Sequence, residues 1–340
     1  MPDPSLASTF ENARLHVVTG KGGVGKTTVA ASLALALAGS GKRVLIAEVE
    51  GRQGISQTFD VPPIGEEVRL VSHPSGGELW GLSVDAKAAL MEYLSIFYKL
   101  GRAGAALEKV GAVDFATTVA PGVRDVLLIG KVYEAAGRTT GGRRNSHLVY
   151  DDVVLDAPPT GRAVRFLNVN AEVADLARVG PIRAQADSIT RMLRDRRTLV
   201  HMVTLLEEMP VQESVDALPE LRRVHLNLGC LVVNQVREPL LTPEQEKELL
   251  APGAVEGTGP LADRTRGALE RAGVRVTGPM VRGLLAEGRA HAERVALESE
   301  MSAEIDAAGL PVLRLPALAD GIEEGGIAVL ADEMCRQGVR

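Results

Sequence analysis

Lys21, Lys26 and Thr27, strung on Gly20, Gly22, Gly23 and Gly25, complete the pattern G-x-x-x-x-G-K-[ST]. In such a glycine-rich turn the backbone N–H groups cradle phosphates, so the predicted cradle runs through Gly22, Gly23, Val24 and Gly25 into Lys26, Thr27 and Thr28. Lys26 reaches the terminal phosphates and Thr27 ligates Mg²⁺, which makes a nucleoside triphosphate with Mg²⁺ the expected ligand. Lys21 is surplus to that chemistry. A second lysine at the start of the loop aims its charge at another phosphate or across a subunit boundary.

Gly20-x-Gly22-x-x-Gly25 also satisfies the dinucleotide-binding pattern, and the next strand carries Glu48 and Glu50 near where such folds place a ribose-binding acid. The dinucleotide loop has no use for Lys-Thr-Thr directly after its third glycine, so the triphosphate reading prevails. Three further residues suit it. Glu50, in the glycine-flanked run Glu50-Gly51-Arg52-Gln53-Gly54, can orient an attacking water or hold Mg²⁺ through water. Asp156 ends the apolar run Val153-Val154-Leu155, the position required of the carboxylate behind Mg²⁺, and Gly161 follows it closely. Asn234, at the end of Leu231-Val232-Val233, can both donate to and accept from an adenine edge.

These residues need a scaffold that brings strand ends together. Strand-like runs recur at 15–19, 44–49, 79–84, 149–155, 200–206, 228–233 and 312–315, separated mostly by helical stretches. That alternation predicts an α/β fold with a doubly wound, mostly parallel sheet covered on both faces. Ligands bind at the carboxyl ends of such strands, which draws the loops after Thr19, Val49, Leu155 and Val233 around one site. The expected layout is a tail over 1–12 and a single nucleotide-binding domain over 13–335. Within it lie a helical subdomain at about 85–145 and a helical segment at about 171–199. In the former, Leu90, Tyr93, Leu94, Phe97 and Tyr98 form an apolar stripe at helical spacing.

The chain has 340 residues, long enough to bury a sizeable core, and 38 Lys and Arg against 44 Asp and Glu give a net charge of −6. That balance argues against a nucleic-acid partner or an anionic-membrane surface. Cys230 and Cys335 are too few and too far apart for a disulfide framework or a two-cysteine metal clasp. The N-terminus lacks a signal-peptide pattern, and no apolar run approaches the ~20 residues that span a bilayer. A cytoplasmic protein without stable membrane insertion is expected.

With Lys21, Glu50, Asp156 and Asn234 in this order, the sequence resembles the deviant P-loop ATPases, specifically the arsenite-pump and tail-anchored-protein-targeting ATPase family. Lys21-Gly22-Gly23-Val24-Gly25-Lys26-Thr27 matches the signature loop. Asp156-Ala157-Pro158-Pro159-Thr160-Gly161-Arg162 with Arg165 is similar to the family's D-T-A-P-T-G-H-T-L-R segment. Pro121-Gly122 with Asp125, and Met209-Pro210 with Glu213, match two further motifs, so the resemblance runs from about residue 13 to 335. It implies ATP and Mg²⁺ as ligands, Lys21 contacting the nucleotide of a partner subunit across a face-to-face dimer, Glu50 in place of the water-positioning aspartate, and Pro316 in the loop covering adenine.

Departures from the pattern shape the functional expectation. Glu50-Gly51-Arg52-Gln53 replaces D-P-A-H, Arg162 replaces the second switch histidine, and no cysteine clasp joins subunits. One ATPase half with two distant cysteines gives little support to metalloid transport. The form is most similar to bacterial, particularly actinobacterial, anion-transporting-ATPase-like proteins. The leading expectation is a Mg²⁺-dependent ATPase acting as a nucleotide-gated dimer, either a homodimer or a heterodimer with a paralogous subunit. Hydrolysis would be coupled to a hydrophobic protein client or a membrane partner, in a manner similar to tail-anchored-protein targeting. The alternative is an ATP-binding scaffold subunit with weak or no hydrolysis, complexed with a paralogous ATPase.

Overall fold

The computed structural model describes residues 4–49, 53–65, 67–72, 76–98, 121–141, 146–169, 181–319, 321–322 and 325–340. The chain divides into two compact units, one of residues 1–205, 209–236 and 308–340, the other of 206–208 and 237–307.

The elements begin with α1 (Pro4–Glu11), β1 (Leu15–Gly20), α2 (Lys26–Gly39), β2 (Arg43–Val49), α3 (Gly54–Thr58), β3 (Val68–Ser72), β4 (Glu78–Val84) and α4 (Ala86–Tyr98). They continue through α5 (Pro121–Gly137), a short hairpin of β5 (Thr139–Thr140) and β6 (His147–Leu148), β7 (Asp152–Asp156), α6 (Thr160–Leu167) and α7 (Pro181–Leu193). β8 (Thr198–Thr204), α8 (Glu208–Arg223) and β9 (Leu228–Val236) follow. The chain then forms α9 (Pro243–Leu250), α10 (Pro260–Arg271) and α11 (Gly278–Ala307), and closes with β10 (Val312–Pro316) and α12 (Gly326–Gln337).

Eight strands form one sheet in the order β10-β9-β8-β1-β7-β2-β4-β3. Every neighbouring pair is parallel except β3 on β4. This is the α/β fold that the alternation predicts, with an added antiparallel edge strand. β1 lies centrally, Leu15 opposite Val153 of β7 on one side and Thr198 of β8 on the other. Its neighbours lead the chain in opposite directions across the sheet, so the end of β1 is the topological switch point where ligands bind. Strands β1, β2 and β8 are buried almost throughout, as parallel strands covered on both faces must be. α2 is Ala- and Leu-rich around nearly its whole circumference because it packs against both the sheet and α12. Its Val29, Leu33 and Leu37 join Ile46, Val203, Leu313 and Met334 in the main core.

The second unit is built differently. Thr242 accepts from the Gln245 backbone N–H, while Gln245 Oε1 accepts from that of Thr242, a capping box that starts α9. Leu249, Ala262, Val281, Leu285 and Ala292 form its small core. Gly288 lets α11 approach closely, since a Cβ there would lie 3.1 Å from Leu249 Cδ1.

Under α1 runs a buried polar chain. His16 Nδ1 and His201 Nε2 are 3.1 Å apart, His201 Nδ1 is 3.1 Å from Cys230 Sγ, and Phe10 stacks on both imidazoles. Burial pushes His201 down to about 3 and lifts the Cys230 thiol to about 12. His16 is also held well below its ordinary value, first by burial and then by the charges of His201 and Lys42. Both imidazoles are therefore neutral in the folded chain at neutral pH, whereas the unfolded chain takes up protons below about pH 6.5. Lowered folded values make stability present at and above pH 6.5 and progressively lost below it, by up to about 1.4 kcal/mol per pH unit for each histidine. Denaturant midpoints measured from pH 7.5 to 5 are expected to fall accordingly, and His201→Gln is expected to flatten the acid limb.

Candidate nucleotide site

The phosphate loop is braced from three directions. Thr19 Oγ1 donates to Pro158 O at 2.7 Å, fastening the end of β1 to the segment after β7. Gly20 passes so close to β8 that a Cβ would lie 2.1 Å from Val203 O. Gly25 caps α2 at φ 85°, and a Cβ there would come within 2.4 Å of Asn234 Nδ2. Any side chain at Gly25 is excluded by both conformation and space. Asn234 Nδ2 donates to Val24 O at 2.9 Å, and the Val24 side chain is fully buried. Gly22 and Gly23 have no neighbouring atoms where a Cβ would be, and Gly23 has φ 86°, so the turn presents its backbone openly. Lys26 is buried, and its Nζ donates to Lys21 O at 2.8 Å, which holds the ammonium inside the loop's own ring. The first N–H groups of α2, from Lys26, Thr27 and Thr28 onward, face the same opening at the positive end of the helix.

Beside the loop, Thr27 Oγ1 donates to Asp156 Oδ2 at 2.6 Å. A hydroxyl at the helix start facing a carboxylate at a strand end is the oxygen donor set that Mg²⁺ takes alongside phosphate. A third group, given above only as a possible ribose acid, is Glu48. It is buried at the end of β2, and its Oε1 accepts from Gln53 N at 2.7 Å and Ser83 Oγ at 2.7 Å. Its Oε2 accepts from Ile55 N at 3.1 Å. A Cβ on Gly54 would lie 3.5 Å from Thr27 Oγ1 and 3.6 Å from Glu48 Oε2, so Glu48 borders the Thr27–Asp156 pair. A charged residue within the apolar run of β2 is the signal that marks it. Glu50, Gly51 and Arg52 lie outside the described residues.

On the other side of the loop, a cavity of about 250 Å³ is lined by Gly25, Thr28, Asn234, Pro316, Leu318 and Ile322, among others. Asn234 and Pro316 thus meet across one opening next to the phosphate loop. With Nδ2 committed to Val24, the Asn234 carbonyl is the part left to accept from a base amine. Lys21 is placed apart from Lys26. Its Nζ pairs with Glu213 Oε1 of α8 at 2.7 Å, with 28% of the lysine side chain exposed. Arg162, in the segment after β7, pairs with Asp125 of α5 at 3.8 Å.

Residues 13–192 match the family model described as anion-transporting ATPase. Over 334 residues the chain is 45% identical to the ATPase BagA of Mycobacterium tuberculosis, covering 98% of this chain and 96% of that protein. The chain belongs to the anion-transporting ATPase family. It is 27% identical over 252 residues to the arsenical pump-driving ATPase of Escherichia coli, covering 68% of this chain and 40% of that one. It is 25% identical over 280 residues to the ATPase get3 of Sclerotinia sclerotiorum, covering 70% and 77%. As a member of this family the chain is an ATP hydrolase, and the strand ends bring together a glycine-rich loop, a buried lysine and a hydroxyl–carboxylate pair. Among the described residues no group of three or more His, Cys, Asp or Glu could hold a metal by itself, and no helix is long and apolar enough to cross a membrane.

Proposed function

We propose that this ATPase works as a nucleotide-gated dimer in which Lys21 serves the nucleotide of the other subunit, and that hydrolysis is coupled to a protein client or membrane partner. The separation of the two lysines carries this reading. Lys26 fills the interior of its own loop, whereas Lys21 stands on the outer shoulder, partly exposed and engaged by Glu213. Lys26 binds the β- and γ-phosphates, Thr27 and Asp156 hold Mg²⁺, Asn234 and Pro316 enclose adenine, and Glu50 orients water. Mg²⁺, when bound, neutralises charge on the phosphate oxygens.

Coupling is supported by two direct links from the nucleotide-side loops to the helices beyond them. Glu48 joins the Gln53–Ile55 turn to Ser83 on β4, which runs straight into α4. Arg162 joins the segment after Asp156 to Asp125 on α5. α5 buries Val126, Leu128, Ile129 and Val132 in the packing around it. The side chains of Tyr93, Leu94, Phe97 and Tyr98 in the anticipated stripe, and all of 99–120, lie outside the described residues.

Mixing variants tests the shared site. Lys21→Ala and Glu50→Gln proteins are each expected to be nearly inactive alone. In a 1:1 mixture, half of the dimers carry one intact composite site, so about a quarter of the wild-type rate returns. Absence of recovery, with mixed dimers demonstrated by differential tagging, would sink the proposal.

A further inference from the structure

At the end of β1 opposite the phosphate loop lies a cavity of about 390 Å³, within the size range of small-molecule sites. Its walls include Leu15 and Thr198, the first residues of β1 and β8. The six residues of β1, at about 3.3 Å each, separate it from the nucleotide opening.

Two kinds of side chain share this cavity. The lining includes the apolar Tyr133 of α5, Leu148 of β6 and Met192 of α7, of which Tyr133 and Leu148 are 37% and 40% exposed. It also includes Arg14, Arg191 and Arg197, with Asp195 the carboxylate among them. Arg197 is paired with Asp195 at 3.0 Å. Arg14 donates to the backbone carbonyls of Asp151 and Tyr150 at 3.1 and 3.0 Å, and Arg191 to Ser188 Oγ at 3.0 Å and Asp187 O at 3.4 Å. Neither has a carboxylate side-chain partner within ion-pair distance among the described residues, and each guanidinium offers five donors. Burial and then the charge of Arg197 lower the Arg14 pKa, against the opposing pull of Asp152 and Asp151. Beside the Arg197–Asp195 pair, Arg14 and Arg191 add two guanidiniums to the lining, and a planar acceptor presented to them makes strong charge-assisted bonds.

We propose that this cavity binds a small amphipathic anion, its carboxylate or phosphate head on Arg14 and Arg191 and its apolar body against Tyr133, Leu148 and Met192. This site is independent of the nucleotide reading.

Calorimetric titration of the full chain with octanoate, octyl phosphate and the neutral octanamide tests it. One saturable site per chain is expected for at least one of the anions, with octanamide at least about ten-fold weaker. The tighter of the two anions identifies the head group. Arg191 is exposed and, among the described residues, its hydrogen bonds stay within its own helix, so Arg191→Gln is expected to keep the fold and to weaken the anion about ten-fold while sparing octanamide. Met192→Trp fills the cavity and is expected to abolish binding, and saturating ATP is expected not to compete. Equal binding of octanamide and the anions, unchanged binding by both variants, competition by ATP, or no saturable site would each overturn the proposal.

Discussion

Replacing Lys26 with methionine is expected to lower Mg²⁺-dependent phosphate release by about 10³-fold, the upper range for loss of one preorganised charge from a phosphate cradle. Methionine keeps the length and fits a buried position, so the change is confined to the ammonium, which here donates to Lys21 O inside the loop. The loop does not depend on that bond alone. Asn234 holds Val24 O, Gly25 O accepts from Val29 N at 2.9 Å, and Thr19 fastens the strand end. The folded state should therefore survive, with a thermal midpoint close to that of the parent in the absence of nucleotide. Because transferring phosphoryl groups spread charge over their oxygens, the deficit should be larger in turnover than in ATP binding. Phosphate release and nucleotide-induced thermal shift, measured side by side, separate the two. Retention of more than a tenth of the parental rate would show that another cation serves the γ-phosphate.

How much of this site can be read from the chain follows from how its chemistry is spaced. The motif over residues 20–28 was legible because its glycines, Lys26 and Thr27 lie on one turn and the helix it starts, whereas the contacts that brace it, from Val203, Asn234 and Asp156, come from distant strands. The placement of Asp156 and Asn234 was legible at one remove, since polar residues near the carboxyl ends of buried parallel strands, Asp156 the last of β7 and Asn234 two before the last of β9, lie on the side where ligands bind in such folds. Family resemblance added Pro316, whose sequence neighbourhood alone says little, and the structure sets it across a cavity from Asn234. Glu48 was seen as an acid near a ribose position, but its work as an acceptor depends on Ser83, a partner supplied by the sheet register that sets Glu48 opposite it. The Lys21–Glu213 and Arg162–Asp125 pairs were beyond reach for the same reason, as each joins elements brought together only by the fold. β3 carries no strand signal of its own, because an edge strand needs no continuous apolar run, and its Val68 is 45% exposed. The helices over 243–307 carry ordinary surface-helix sequences, and nothing in their composition marks them as a separate unit.

Glu48 supports the second large effect. Three donors converge on this buried carboxylate from two elements, and Glu48→Ala would leave the Gln53 and Ile55 N–H groups and the Ser83 hydroxyl without their acceptor while opening a cavity. At about 1–3 kcal/mol for each stranded buried group, partly relieved by relaxation, a stability loss of about 3–5 kcal/mol is expected. Glu48→Gln separates the contributions. Its carbonyl can keep the two bonds on Oε1, but its amide nitrogen must then face the Ile55 N–H, donor against donor, at a cost of about 1–3 kcal/mol. Ser83→Ala removes a donor and strands nothing, so it should cost least. Chemical denaturation of the three variants is expected to rank them Glu48→Ala, Glu48→Gln, Ser83→Ala in decreasing severity. Glu48 precedes Glu50 by two residues, and the chain returns to it at Gln53 and Ile55, so freeing the Ile55 N–H is expected also to slow single-turnover hydrolysis by Glu48→Gln while leaving ATP affinity within a few-fold. A Glu48→Gln protein as stable and as active as the parent would show that the buried carboxylate neither holds the Gln53–Ile55 turn nor contributes to hydrolysis.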